Sequence, residues 1–173
     1  MGAVLAVGWD AFSTPHLSSV IIAMISAATI ASAANAVNDA RDIDIDRINR
    51  PDRPLPSGRI SGRVALVTWL TGAALGVGLS LLLTPVHIAI AVLAVVAVLA
   101  YSYRLKQSGL FGNILVGLVV STTLLYGALA VGRIGAAWVG FVAAFLMTLA
   151  REIAKDLEDV KGDAAGNVRS VPI

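Results

Sequence analysis

Long apolar segments separated by short polar ones set the pattern of this chain. Continuous apolar runs predict five membrane spans, at roughly 17–40, 61–83, 86–103, 112–131 and 136–154. About 20 apolar residues cross a bilayer as a helix, and these runs do not alternate as barrel strands do. The stretch 1–12 is apolar but too short to span. The pattern predicts an all-α, polytopic transmembrane helical bundle with five full spans and an N-terminal stub.

Within the second span, the spacing of Gly72 and Gly76 is typical of close helix packing.

The composition agrees with a membrane protein. The chain is 57% hydrophobic and 14% charged, and its mean hydropathy is +0.83. Soluble domains carry about a quarter charged residues, so a disordered chain and a basic nucleic-acid-binding module are both disfavoured. We therefore expect membrane lipid as a partner and no nucleic acid. The chain contains no cysteine, which excludes thiolate chemistry and Cys-ligated metal sites.

Most charged residues lie in three polar segments, near 41–63, 104–111 and 151–173. They hold 12 of the 13 Lys and Arg residues, and only Arg133 lies in a segment on the other side. We expect an integral protein of the cell membrane. The positive-inside rule places its three polar segments on the cytoplasmic side. Ten of the 11 acidic residues fall on the same side, which that rule does not require. This coincidence is the first indication of a functional site.

The first acidic cluster lies at the cytoplasmic end of the first span. Asn38, Asp42 and Asp46 recur at i, i+4 and i+8, a spacing that stacks three oxygen-bearing side chains along one helix face. Oxygen ligands of this kind suit Mg²⁺, which often shares its coordination sphere with substrate phosphates. The alternative is a solvated helix end whose charges happen to fall at helical spacing.

The second acidic cluster lies at the cytoplasmic end of the last span. Glu152, Asp156, Asp159 and Asp163 recur at i, i+4, i+7 and i+11. Carboxylates near a helix C-terminus oppose the helix macrodipole, so they are not placed there for helix stability. Two acidic faces on one side of the membrane are expected to converge on a single polyanion through bridging metal ions.

Basic side chains lie among these acids and are candidates for binding a diphosphate. The candidates are Arg50 and Arg53 in the first polar segment, Lys106 in the middle one and Lys155 in the last. Tyr103, shortly before Lys106, is a further candidate substrate contact. These cations could equally be topology determinants and charge partners of the aspartates.

Two motifs resemble signatures of the UbiA-type intramembrane prenyltransferase superfamily. The segment NAVNDARDIDIDRINRPDRPLPSGRIS (35–61) is similar to the first, an NxxxDxxxD motif matched by Asn38, Asp42 and Asp46. The segment REIAKDLEDVKGDAAGNVRSVPI (151–173) resembles the second, with Asp159 and Asp163 as its DxxxD pair. The continuation INRPDRPLPSG of the first motif is similar to the branch of the family that contains both the ether-lipid enzymes and the chlorophyll synthases, and the second motif is closest to the ether-lipid enzymes.

The resemblance implies a fold, a cofactor and a reaction. The family fold is an all-helical bundle of about nine spans, of which 1–173 would be a single domain incomplete at both ends. Two Mg²⁺ ions, held by Asn38 and the catalytic residues Asp42, Asp46, Asp159 and Asp163, would bind the diphosphate of a polyprenyl donor. For the ether-lipid branch, a geranylgeranyl group is transferred to the hydroxyl of geranylgeranylglyceryl phosphate, a lipid-like acceptor. No residue is an evident base for that hydroxyl.

Other functions remain open at this stage. Within the same chemistry, the acceptor could be aromatic or a tetrapyrrole, as in prenyltransferases of the quinone and chlorophyll synthase types. A different class is a cation-binding membrane transporter, in which carboxylates line an ion path. The acids here fall at helix ends rather than in mid-span, which argues against a transporter. A membrane scaffold would not need two acidic faces.

Overall fold

The computed structural model describes the backbone of residues 1–165 and the side chains of residues 1–158 other than Gln107. The regular secondary structure of this part of the chain is all helical, with no strand, and short turns and loops join the helices. Seven α-helices run in chain order: α1 Gly2–Val7, α2 Thr14–Arg41, α3 Ile43–Asn49, α4 Gly62–Ser80, α5 Pro85–Tyr103, α6 Leu110–Leu129 and α7 Ala137–Ala165. Short 3₁₀ helices cover Gly8–Phe12 and Leu105–Ser108.

The five long helices are the predicted spans. In α2, α4, α5 and α6, and in the Ala137–Glu158 part of α7, length and composition suit a membrane crossing. Pro85 lies in the first turn of α5, where a missing backbone N–H costs nothing. Glycines 132 and 135 have positive φ angles in the turn between α6 and α7. The all-α bundle with five spans is confirmed, and α1 is the N-terminal stub.

Helices α2 and α4 pack closely through small residues. A Cβ atom on Gly72 would lie 2.9 Å from the Thr29 carbonyl oxygen and 3.1 Å from the Ala33 Cβ. A Cβ on Gly76 would lie 2.9 Å from the Ser26 carbonyl oxygen. Only glycine permits so close an approach of two helix backbones. The Gly72/Gly76 pair is therefore a helix-packing face, as its spacing predicts.

A buried chain of hydrogen bonds joins four of the spans. Ser26 Oγ donates to the Gly76 carbonyl at 2.8 Å, so Tyr126 Oη must donate to Ser26 Oγ, also at 2.8 Å. The carbonyl of Tyr126 lies 3.2 Å from His87 Nε2, which therefore carries the proton. His87 Nδ1 then accepts from Thr84 Oγ1 at 2.8 Å. These contacts cross-link α2, α4, α5 and α6 away from the acidic clusters.

The opposite end of the bundle gathers the polar segments. The chain runs up and down, so α2 and α5 end there, α6 begins there, and the polar half of α7 returns there. The short helix α3 follows α2 directly and packs against α7. Both acidic clusters therefore lie on helices that meet at one end of the molecule.

Candidate active site

The first acidic motif continues the α2 helix with little interruption. The backbone N–H of Asp42 donates to the Asn38 carbonyl at 2.9 Å, and that of Asp46 to the Asp42 carbonyl at 2.7 Å. Asp42 stands between α2 and α3 with φ −94° and ψ 2°. Because the i to i+4 bonds persist across this junction, Asn38, Asp42 and Asp46 stay one helical turn apart.

Asn38 and Asp42 contact the end of α5 and the loop after it. Ser102, near the end of α5, donates its hydroxyl to Asn38 Oδ1. Lys106 Nζ donates to Asp42 Oδ1 in an ion pair that is mostly shielded, with 20% and 13% of the two side chains exposed. Lys106 thus lies against the first motif, and its contact with a diphosphate stays a prediction.

Asp46 has a different partner from its two motif neighbours. Arg53 Nη1 lies 2.8 Å from Asp46 Oδ2 and 3.4 Å from Asp39 Oδ1, so one guanidinium joins two carboxylates. These three residues line a cavity of about 340 Å³ between α2, α4 and the segment 53–60. The cavity walls include Leu55 and Val64. In the described structure, Asp46 and the Asn38–Asp42 pair therefore face different neighbours.

Asp39 also lines this cavity, although the sequence reasoning did not single it out. It lies one position after Asn38, outside the i to i+4 register that defined the cluster. Its carboxylate is half-exposed and interacts electrostatically with Arg53, Asp46, Asp42 and Lys155. The sequence did contain one indication of this contact, because Arg53 is a cation in a Pro-rich segment that can reach back to α2. Sequence spacing alone could not show which carboxylate it would meet.

Helix α7 is tied to the first motif by charge. Arg50, after α3, lies 3.7 Å from Glu158 of α7. Lys155 acts electrostatically on Asp39, and Asn113 Nδ2 of α6 donates to Asp156 Oδ2 at 2.8 Å. The basic residues that are predicted to bind a diphosphate thus lie at one end of the bundle: Arg50, Arg53, Lys106 and Lys155. The side chains of Asp159 and Asp163 lie outside the described residues.

Three further side chains, Tyr103, Asp44 and Glu152, each contact a neighbouring arginine. Tyr103 is exposed, and its ring lies under the Arg41 guanidinium, whose carbon is 4.5 Å from the ring centroid. Asp44 is 90% exposed at its side chain and pairs with Arg47 at 2.8 Å. Glu152 is buried and accepts from Arg151 at 2.9 Å. Tyr103 therefore contacts Arg41, whereas Lys106 contacts Asp42.

The donor chemistry of the first motif fits Mg²⁺. Asn38, Asp42 and Asp46 offer an amide oxygen and two carboxylates, the ligand types that this ion prefers. Among the side chains described, however, no three acidic or histidine residues are gathered closely enough to hold a metal ion. Asp42 and Asp46 are instead each bound by a basic side chain. The residues fit the ion by type, and their present partners are cations of the protein itself.

This chain belongs to the UbiA prenyltransferase family, whose model matches residues 1–173. Its fold and the position of the first motif agree with that assignment. A solved structure described as "Apo structure of a UbiA homolog from Aeropyrum pernix K1" superposes with a TM-score of 0.77 over 90% of this chain and 61% of that one. The two are 23% identical, so this likeness concerns the fold alone.

Several relatives carry a more particular name. The chain is 45% identical over 155 residues to digeranylgeranylglyceryl phosphate synthase of Methanopyrus kandleri, covering 88% of this chain and 56% of the relative. It is 40% identical over 173 residues to the protein of that name from Thermococcus gammatolerans, covering 100% of this chain and 61% of the relative. A solved structure concerning the "biosynthesis of Digeranylgeranylglyceryl phosphate synthase in membranes" is 30% identical, with a TM-score of 0.77, and covers 99% of this chain and 60% of that one. The chain spans about three fifths of these proteins.

Proposed function

We propose that this protein transfers a geranylgeranyl group from its diphosphate to the hydroxyl of geranylgeranylglyceryl phosphate, a step in ether-lipid synthesis. The observation that carries the proposal is the meeting of both motif-bearing helices, with Lys106 on Asp42, at one end of a membrane bundle. The names of the relatives support the choice of donor and acceptor. The products are the ether-linked lipid and free diphosphate.

In this proposal, the polar end of the bundle binds the donor's diphosphate. Lys106, Arg53, Arg50 and Lys155 supply positive charge around it, and charge-assisted hydrogen bonds from such groups are among the strongest available to a phosphate. Asn38, Asp42, Asp46, Asp159 and Asp163 would hold Mg²⁺. When bound, this ion would stabilise the charge that grows on the leaving diphosphate.

The apolar spans have a second task in the same reaction. Breaking the bond between the allylic carbon and the diphosphate oxygen leaves a carbocation that water would capture. The helices surround the site with apolar side chains and lipid, which keeps water away from that carbon. The acceptor's hydroxyl oxygen then forms the new C–O bond and loses its proton.

The same proposal sets the protein's orientation. In the cell membrane, the charged end of the helical bundle faces the cytoplasm, because 12 of 13 Lys and Arg residues lie in its three polar segments. Residues 1–173 belong to a single UbiA-type domain. Both substrates reach it from the bilayer, where their isoprenoid tails are dissolved.

The test is a transfer assay in membranes that contain the protein. Radiolabelled geranylgeranyl diphosphate is supplied with geranylgeranylglyceryl phosphate, with and without Mg²⁺, and the lipid products are separated by chromatography. We expect a doubly alkylated product that requires both Mg²⁺ and the glyceryl acceptor. A parallel arm offers 4-hydroxybenzoate, and prenylation there in place of the glyceryl lipid would reassign the acceptor. No transfer to either acceptor from a folded protein would reject the proposal.

A further inference from the structure

Two predicted metal ligands are each already bound by a basic side chain. Asp42 pairs with Lys106, and Asp46 pairs with Arg53 at 2.8 Å. Both carboxylates are shielded, with 13% of the Asp42 side chain and 9% of the Asp46 side chain exposed. In each pair the cation comes from a different segment of the chain. The Lys106–Asp42 pair joins residues 64 positions apart, whereas Arg53 follows Asp46 by seven residues and lies beyond the end of α3.

A shielded carboxylate needs a positive partner. Removing an ionised carboxylate from water is costly unless another charge or several hydrogen bonds compensate. Divalent metal could provide that compensation at a site of this donor type, but among the described side chains no metal-holding group of three is assembled. Lys106 and Arg53 provide it instead. They compensate the charge of these two shielded carboxylates.

A carboxylate oxygen that already accepts from a basic side chain is not open to a dication unless that side chain moves. A cation and a dication held against one oxygen would repel each other strongly at such short range. Metal binding to that oxygen therefore moves the basic side chain away from it. The moved cation then lies beside the site, where a diphosphate brings several negative charges.

Arg53 and Lys106 differ in the contacts that remain to them when a metal ion takes their place on the carboxylate. Arg53 Nη1 also lies 3.4 Å from Asp39, so Arg53 keeps a second carboxylate if Asp46 changes partner. Lys106 is a single charge on a flexible stem, in the short Leu105–Ser108 helix between α5 and α6. Lys106 is thus the one that can swing from Asp42 to a phosphate oxygen.

We propose that Lys106 and Arg53 are resident counterions of the metal ligands, and that divalent metal displaces them from Asp42 and Asp46. Lys106 then turns to the diphosphate, while Arg53 remains on Asp39. The inference rests on the proposed function for the identity of the diphosphate ligand, but its first half concerns metal binding alone.

Two measurements on the protein in lipid nanodiscs test the exchange. Free Mn²⁺, used in place of Mg²⁺, is followed by its electron paramagnetic resonance signal to obtain the metal affinity. Inorganic pyrophosphate binding is then measured calorimetrically at saturating Mn²⁺. The variant is Lys106→Met, which keeps the length of the stem and removes the charge. Arg104→Met is the matched control, since Arg104 is an exposed cation two residues away.

The exchange predicts opposite effects in the two measurements. Lys106→Met should bind Mn²⁺ on the order of tenfold more tightly, because no ammonium has to be displaced. It should bind pyrophosphate on the order of tenfold more weakly, because one charge-assisted contact is lost. Arg104→Met should change each affinity by less than about twofold at 0.15 M salt, where distant exposed charges are screened. A purely structural role for Lys106 predicts no tightening of Mn²⁺ binding.

Folding is controlled in the same series. If Lys106→Met does not fold, Lys106→Gln replaces it, since the amide still donates to Asp42 but carries no charge. Equal or weaker Mn²⁺ binding by the folded variant would overturn the proposal. The result is separable from the proposed function: a protein with no prenyl transfer can still show the Mn²⁺ effect, and an active one can lack it.

Discussion

The close contact between α2 and α4 gives a quantitative prediction for Gly76→Ala. The new Cβ would lie 2.9 Å from the Ser26 carbonyl oxygen and from Thr29 Oγ1, and nearer still to Ile30 Cγ1. The carbonyl belongs to the α2 backbone and cannot rotate away. The two helices must therefore separate, and overpacking of this kind costs about 1–3 kcal/mol.

Two further contributions decide the net change. Separation lengthens the 2.8 Å hydrogen bond from Ser26 to the Gly76 carbonyl, and such bonds are worth about 0.6–1 kcal/mol in membrane bundles. Alanine favours the helix over glycine by about 1 kcal/mol, which acts in the opposite direction. We expect Gly76→Ala to lower the free energy of unfolding by about 1–3 kcal/mol.

The matched control is Gly78→Ala in the same helix. A Cβ there would meet no atom within 4 Å, so only the helix-propensity gain applies and the variant should be neutral or slightly stabilised. Both variants are unfolded reversibly by titration with sodium dodecyl sulfate in mixed micelles, followed by far-UV circular dichroism. Gly76→Ala as stable as Gly78→Ala would refute the packing argument.

The other predictions concern the site, the buried network and the topology. Asp42→Asn should abolish prenyl transfer in the radiolabel assay while the protein stays folded, whereas Asp44→Asn, at an exposed position, should retain most activity; equal losses would contradict the face assignment. Tyr126→Phe removes the hydroxyl that donates to a buried serine and should cost about 1 kcal/mol in the same detergent titration; no loss would show that this bond adds nothing. Single cysteines at Ile48 and Val160 should be labelled by a membrane-impermeant maleimide from the same side, and labelling from opposite sides would end the shared-site interpretation.

The spans could be predicted from the sequence because their cause is local. An apolar run of about 20 residues has one low-energy arrangement in a bilayer, a helix that satisfies its own backbone. The spacing of Gly72 and Gly76 was likewise sufficient to predict a packing face. The acidic register of Asn38, Asp42 and Asp46 followed from the helical repeat, which persists through the α2–α3 junction.

The pairing of charges was decided only by the tertiary structure. Lys106 and Asp42 are 64 residues apart, and their contact depends on how α5 ends beside α2. Asp39 shares the Arg53 guanidinium with Asp46, although Asp39 lies outside the helical register of the motif. Helical periodicity assigns a residue to a face of its own helix. Which neighbouring helix or loop covers that face depends on the packing of the whole bundle, and so does the partner of each buried charge.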